Sequence, residues 1–411
     1  MNDLTTMDLP SEIELIAACC RWPQGKTRLT AIRAAAAGVR DWSYVCRLVE
    51  CHRVWGLVYE GLTSAGIELP DDAKKYLSDH AAEFAQQNVV FAGEAIRLQR
   101  IFDAENILVV FYKGASLAQL AYGSIAYKHG KDIDLLVHPH QVPAACEVLK
   151  REAYVLVEPS PPPDVERLRL IVQYHRELIF AHATKKIQIE LHWKLTKNLQ
   201  LLRGVDASSP TEEVFISRRM AIRTLNEADL VSYLGVHGAL HAWRRMKWLA
   251  DFNAMVAKQS EADIIRLYRH SVDLGAAFCT GVGLMLCRRI FGLHIPDAVD
   301  GELRRSLRLK VLFALSMNAI RYKADEREFG LFVVLCGHGM HYVSEGYRRK
   351  FMETNLNIHY LKSRTFYYFY CVFYTVYLAF LYAGTCGLSI LKRASSMAAR
   401  RQRPPARLSE N

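Results

Sequence analysis

The chain has 411 residues, 51% hydrophobic and 23% charged, a globular balance that excludes a disordered protein and leaves room for about two or three domains. Its net charge of +11 favours an anionic partner, whether nucleotide, nucleic acid or anionic lipid. The ten cysteines include no CxxC pair and no zinc spacing with histidine. They read as reduced, buried thiols of a cytosolic-facing protein.

Residues 1–105 read as a helical region. The opening MNDLTTMDLPSEIELIAACC has acids where a secretory signal needs bases, so no signal is read there. Pro10-Ser11 followed by Glu12 and Glu14 is a helix start, and Pro70 before Asp71-Asp72 is another. Between and after them, apolar residues recur at three- and four-residue spacing. His52 and Trp55 are expected in the core or on the surface rather than in chemistry.

From Ile107 the apolar period changes to two. Residues 108–112 read as a short strand, 115–123 as a short helix ending at Gly123, 132–138 as a second strand and 141–154 as a helix. In the stretch that follows, the proline run Pro159 to Pro163 cannot join a central sheet and is expected to be an exposed loop. Two further strands, within 175–182 and 185–193, flank a tight Ala183-Thr184-Lys185 turn. In the second, Ile187, Ile189 and Leu191 face one way, and Gln188, Glu190 and His192 the other. Residues 106–205 thus form a sheet-bearing core.

From about Thr211 the chain reads as helical again, through a region spanning 206–360. Residues 231–259 are expected to form one or two helices holding His237, His241, Trp243, Lys247 and Asp251. His237 and His241 are four apart, hence on one face, and Asp251 is placed to share it. No HExxH glutamate accompanies the histidines, which argues against zinc. The segment 361–411 closes the chain. It carries no charge between Arg364 and Lys392 and is rich in tyrosine and phenylalanine. That run, 365–391, is long enough to span a bilayer. A buried helix, an in-plane or re-entrant membrane segment, and a span all stay open. A span with its site in the cytosol would export Lys392, Arg393, Arg400, Arg401, Arg403 and Arg407, against the positive-inside rule. The expected location is the cytoplasm, with the inner face of the membrane reached through 365–391 and the basic tail.

The chemistry concentrates between residues 108 and 137. Asp132 and Asp134 are two apart on a strand, so their carboxylates share a face. Two carboxylates side by side repel, and a divalent cation relieves them; oxygen-only ligands suit Mg²⁺ or Mn²⁺. The turn Lys113-Gly114-Ala115-Ser116, between a strand and a helix, offers backbone N–H groups and a hydroxyl to a phosphate. Glu190 adds an acid on a third strand, where an unpaired charge is costly unless it holds a partner. Together these parts point to phosphoryl or nucleotidyl transfer.

The runs KGASLAQLAYG and KDIDLLV, then IQIELHW, then HGALHAWRRMKWLADF resemble an uncharacterised bacterial nucleotidyltransferase family of the polymerase-β-like superfamily. The resemblance covers most of residues 30–260. It implies an α+β fold: a small mixed sheet flanked by N-terminal and C-terminal helical regions. It also implies three acids, Asp132, Asp134 and Glu190, holding Mg²⁺ (or Mn²⁺) around an NTP substrate. Gly114 and Ser116 would meet the triphosphate, with Lys113 and Lys128 beside them. Glu190 would take the proton of an acceptor hydroxyl on a small molecule, sugar or protein. Lys128 stands where the family generally has arginine, which keeps the charge and loses the bidentate fork. Ser124 and Ile125 replace an acid and a proline of the same loop. His192, Lys113 and the residues His237, His241, Trp243, Lys247 and Asp251 are second-rank candidates. Relatives resemble products of exopolysaccharide gene clusters. A second reading is a catalytically weak relative that binds nucleotide or protein, at a membrane, in polysaccharide biosynthesis. Nucleic acid is not expected as a partner, because no RNA-binding module is present.

Overall fold

The computed structural model describes residues 9–321, 332–337 and 339–354. Residues 1–346 form one compact unit; the other, 347–411, is described only as far as residue 354, the end of the helix Gly339–Thr354. The run 365–391 and the basic tail lie outside the described residues. Among the described residues, no helix is long and apolar enough to cross a membrane.

The N-terminal region is helical. It comprises α1 Ser11–Cys20, α2 Lys26–Ala36, α3 Trp42–His52, α4 Trp55–Ser64 and α5 Asp71–Ala104. The Asp41 carboxylate caps α3 by accepting from Tyr44 N–H at 2.9 Å, and α3 stops at Arg53, whose φ of 56° is left-handed. Helix α5 has 34 residues, about 50 Å at 1.5 Å per residue. Leu77, Ala81, Phe91, Ala95, Leu98 and Phe102 recur at helical spacing along its buried side.

The core sheet has five strands: β1 Val109–Val110, β2 Ile133–Val137, β3 Tyr154–Glu158, β4 Glu177–His182 and β5 Gln188–His192. Their spatial order is β1-β2-β5-β4-β3. β2 runs parallel to β5, and the other neighbours are antiparallel. The helices α6 Ala115–Tyr122, α7 Val142–Arg151 and α8 Val165–Tyr174 connect them. This is the expected small mixed sheet in an α+β fold. The strand at 108–112 shortens to two residues, while the expected proline loop Pro159–Pro163 lies between β3 and α8. β3 is an edge strand with Val155 and Val157 exposed, so prolines directly after it cost no ladder bond on a second neighbour.

The helical reading from Thr211 is corrected by a hairpin, β6 Thr211–Ser217 and β7 Met220–Leu225. Its branched residues suit a pleated surface, and Val214 pairs with Ile222 on the buried side. The long helix α5 holds it, because Gln99 Oε1 accepts from Arg223 N–H at 2.7 Å. Asn226 then caps α9 Glu227–Leu240, accepting from Asp229 N–H at 3.0 Å. The remaining helices are α10 Met246–Val256, α11 Glu261–Asp273, α12 Ala277–Phe291, α13 Asp297–Arg305 and α14 Leu307–Arg321. One apolar core joins Ile13 and Ile16 of α1, Leu117 of α6, Leu136 of β2, and Leu249 and Phe252 of α10. The sheet and the helices on both sides of it in sequence are therefore packed as one body within residues 1–346. Of the described cysteines only Cys51 is exposed, and all are free.

Candidate active site

Sheet register assembles the site. In the parallel β2–β5 pair Asp134 lies opposite Glu190 and Leu136 opposite His192. In the antiparallel β4–β5 pair Glu177 lies opposite His192. Alternation puts Asp134, Glu190, His192 and Glu177 on one face, and Ile133, Leu135, Ile189 and Leu191 on the other. The second set is buried in apolar packing, which fixes the register: a one-residue slip would bury the carboxylates there. Asp132 precedes β2 by one residue and lies two before Asp134.

The acidic face is balanced by Lys113, by His192 and, at Glu177, by Arg176, 2.8 Å away. Lys113 Nζ lies 2.6 Å from Asp134 Oδ1. His192, fully buried, has Nε2 3.2 Å from both Asp134 Oδ1 and Glu190 Oε2. Its Nδ1 is 3.0 Å from Glu177 Oε2, an ion-pair contact without the alignment of a hydrogen bond. Burial opposes the imidazolium, but the carboxylates of Asp134, Glu177 and Glu190 around it win and raise it to about 9. Asp134 is buried too, yet Lys113 and His192 hold its carboxyl far below the usual range. Lys113 is likewise held charged against burial, chiefly by Asp134. It lies over the rings of Tyr112 and Tyr233 at 5.3 and 5.8 Å. Asp132 moves the opposite way. Burial and the charges of Asp134 and Glu190 push it up to about 7.

The glycine turn lies directly beside these groups. Lys113, Gly114, Ala115, Asp132 and Asp134 line one small pocket, closed on its apolar side by Phe111 and Ile222. Gly114 has φ 61° and ψ −127°, a conformation that side chains rarely adopt, and it lets the chain enter α6 with no side-chain cap. The first amides of α6 thus have no intrahelical acceptor. Ser116 turns away from the pocket. It is fully buried and donates to Phe111 O at 2.5 Å and Lys113 O at 3.0 Å, so its hydroxyl braces the turn.

Lys128 is engaged elsewhere. Its Nζ bonds to Asp251 Oδ2, and Tyr122 Oη donates to Asp251 Oδ1 at 2.9 Å. Asn88 Nδ2 donates to Ile125 O at 2.8 Å and also bonds Lys128 O, so α5 and α10 both grip the loop before Asp132. His237 and His241 share a face as expected, their ring centroids 4.8 Å apart, but Asp251 does not join them. The chain leaves the helix between α9 and α10, where Ala242 and Trp243 have φ of 51° and 52°. Asp251 faces Tyr122 and Lys128 instead of the histidines. His237 stacks on Tyr233 at 5.5 Å, and His241 on Trp248 at 4.6 Å. Burial holds His237 well below, and His241 at about 3, so both are neutral at pH 7. Trp243 is a fully buried core residue.

The structure therefore brings Asp134, Glu190 and His192 together, with ligand atoms within 4.8 Å of one another, and adds Asp132, Lys113 and Gly114 at the pocket. The sequence alone does not single out Glu177: a turn at 183–185 would put it opposite Leu191, whereas the observed register, with His182 N–H bonded to Ile187 O, puts it opposite His192. The donor set suits a hard divalent ion: the carboxylates are oxygen donors, and the raised Asp132 marks negative charge that Lys113 and His192 leave uncompensated. A family model described as an uncharacterised nucleotidyltransferase matches residues 39–292. No curated protein matches the chain.

Proposed function

The chain belongs to the uncharacterised nucleotidyltransferase family, and on that premise we propose that it moves a nucleoside monophosphate from an NTP to a hydroxyl acceptor, with a divalent cation, Mg²⁺ or Mn²⁺. The observation that carries this reading is the facing pair Asp134 and Glu190 across β2 and β5, with Asp132 beside them and an uncapped helix start in the same pocket.

Asp132, Asp134 and Glu190 are the residues that would hold the ion. When bound, it supplies charge stabilisation to the attacking and leaving oxygens of an in-line displacement. Gly114 and the first amides of α6 receive phosphate oxygens, and Ser116 keeps that turn in shape. Lys113, 2.6 Å from Asp134, is a donor placed for a phosphate oxygen at the same spot. Glu190, 21% exposed and in contact with His192, accepts the acceptor's hydroxyl proton. The acceptor oxygen forms its bond to the α-phosphorus, the α–β bridging bond breaks, and pyrophosphate leaves. His192 holds Asp134 and Glu190 in register by donating between them.

Binding of a non-hydrolysable NTP analogue, with Mg²⁺ and with chelator, tests the reading. Wild type is expected to bind only with Mg²⁺, and Glu190→Gln to weaken binding at least tenfold while staying folded. Binding indifferent to both metal and Glu190 would overturn it.

A further inference from the structure

A second charged group faces Asp132 through Lys247, which is not among the residues lining the glycine-turn pocket. Met246 N–H donates to His52 Nδ1 at 3.1 Å, which joins the end of α3 to the start of α10. That bond brings Arg53, next in sequence to His52, alongside Arg245 and Lys247, which flank Met246. Arg245 and Lys247 both lie over the Trp248 ring, at 5.5 and 6.0 Å. The loop before Asp132 closes the group. Gly56 lets it approach, since a Cβ there would sit 2.7 Å from Tyr127 O. His129 packs against Phe84 at 4.1 Å and Trp55 at 5.3 Å. Lys128 lies beside it, paired with Asp251.

These groups are mutually repelling. Burial and then Lys128 push the Lys247 ammonium down to about 7. Burial, Lys247, Arg53 and Lys128 keep His129 at about 3. Burial and Arg53 lower Arg245 as well. The acids that face Lys247 are Asp251 and Asp132, and Asp251 is already bonded to Lys128 and Tyr122. His129 Nδ1 is buried with no hydrogen-bond partner. Several cations facing one another without enough acid, beside an orphaned ring nitrogen, describe a binding place for an anion.

We propose that Arg53, Arg245, Lys247 and His129 form an oxyanion subsite that binds the phosphate of a phosphorylated, hydroxyl-bearing acceptor. Asp132 is the hinge of the argument: it lines the glycine-turn pocket and also faces Lys247. A phosphate on the cationic side therefore places the rest of its molecule toward the carboxylates, opposite the proposed nucleotide. The acceptor's role rests on the function proposed above; the anion site itself does not.

The test is calorimetric titration of the full chain, in chelator at matched ionic strength, with inorganic phosphate, a hexose 6-phosphate and the neutral hexose. Wild type is expected to bind the two phosphates and not the neutral sugar. Arg245→Gln/Lys247→Met should weaken phosphate binding at least tenfold and change the affinity for Mg²⁺ with a non-hydrolysable NTP analogue less than twofold. Arg245→Gln alone, at a partly exposed position, keeps the test valid should the double variant be unstable, and should weaken phosphate binding several-fold. No phosphate binding by wild type, or unchanged binding in the variants, overturns the subsite. Equal loss of phosphate and NTP binding also overturns it, because the cations would then serve the nucleotide's own phosphates. Phosphate binding by a chain that never binds Mg²⁺ and NTP overturns the function proposed above instead and leaves the anion site standing.

Discussion

Lys128 and Asp251 separate a loop-holding role from a nucleotide-binding one. Asp251 is 3% exposed and receives both Tyr122 and Lys128; the Lys128 side chain is 12% exposed. Breaking a buried pair by removing one partner costs about 3–5 kcal/mol. Lys128 can turn partly toward water, so Asp251→Leu should cost about 3 kcal/mol, including about 1 for the lost Tyr122 bond. Lys128→Met leaves Asp251 the Tyr122 bond and should cost about 2 kcal/mol. The double variant removes both charges and should cost no more than Asp251→Leu alone, a coupling of about 2 kcal/mol. Urea unfolding and Mg²⁺-dependent affinity for an NTP analogue, measured on all four chains, make the cycle. If the pair holds the loop 124–131 over the site, affinity falls by a similar factor in the two single variants and in the double. Additive stability losses would refute the coupling. Loss of NTP binding in Lys128→Met at unchanged stability would show that Lys128 touches the nucleotide.

Three further outcomes follow from the geometry. Glu94, buried and bonded to Arg97 and Tyr154, is held down to about 2 despite its burial. A depressed carboxyl adds stability above its unfolded value of about 4.5 and loses it as pH falls toward 2. Acid titration of wild type should therefore show a loss of about 2 kcal/mol that Glu94→Gln lacks, after discounting for the exposed side of Arg97; equal pH profiles would contradict this. Ser116→Ala removes the buried hydroxyl that braces the glycine turn and should cost about 1–2 kcal/mol in urea unfolding. A loss of NTP affinity without that stability loss would mean the hydroxyl meets the ligand. Gly114→Ala forces a side chain into the φ 61° conformation. It should cost about 1–3 kcal/mol and weaken NTP binding further than Ser116→Ala does, because it displaces the first amides of α6; full retention of binding would contradict the phosphate role of that turn.

Much of the site was legible because strand alternation and a fixed turn carry it. Asp132 and Asp134 on one face, Glu190 in phase with His192, and the Gly114 entry to α6 all follow from local pattern. What the sequence hid was long-range. His192 becomes a buried cation only because β5 lies between β2 and β4, with Asp134 on one side and Glu177 on the other. Lys128 and Asp251 are 123 residues apart, so no spacing rule pairs them. The hairpin 211–225 runs directly into the cap of α9, and a helical reading carried back from that helix overlooks the strand preference of Val214, Phe215 and Ile222. The break at Ala242 and Trp243 has no glycine or proline to announce it, and it separated residues that a continuous helix would have put on one face.

The most direct measurement follows two labels from one NTP, on the α- and the γ-phosphate, with Mg²⁺ and a pool of phosphorylated and neutral hydroxyl acceptors. The account predicts that the α-label joins an acceptor while the γ-label leaves as pyrophosphate, and that Asp134→Asn abolishes the transfer. Transfer of the γ-label to an acceptor, or α-label transfer that survives Asp134→Asn, would contradict it.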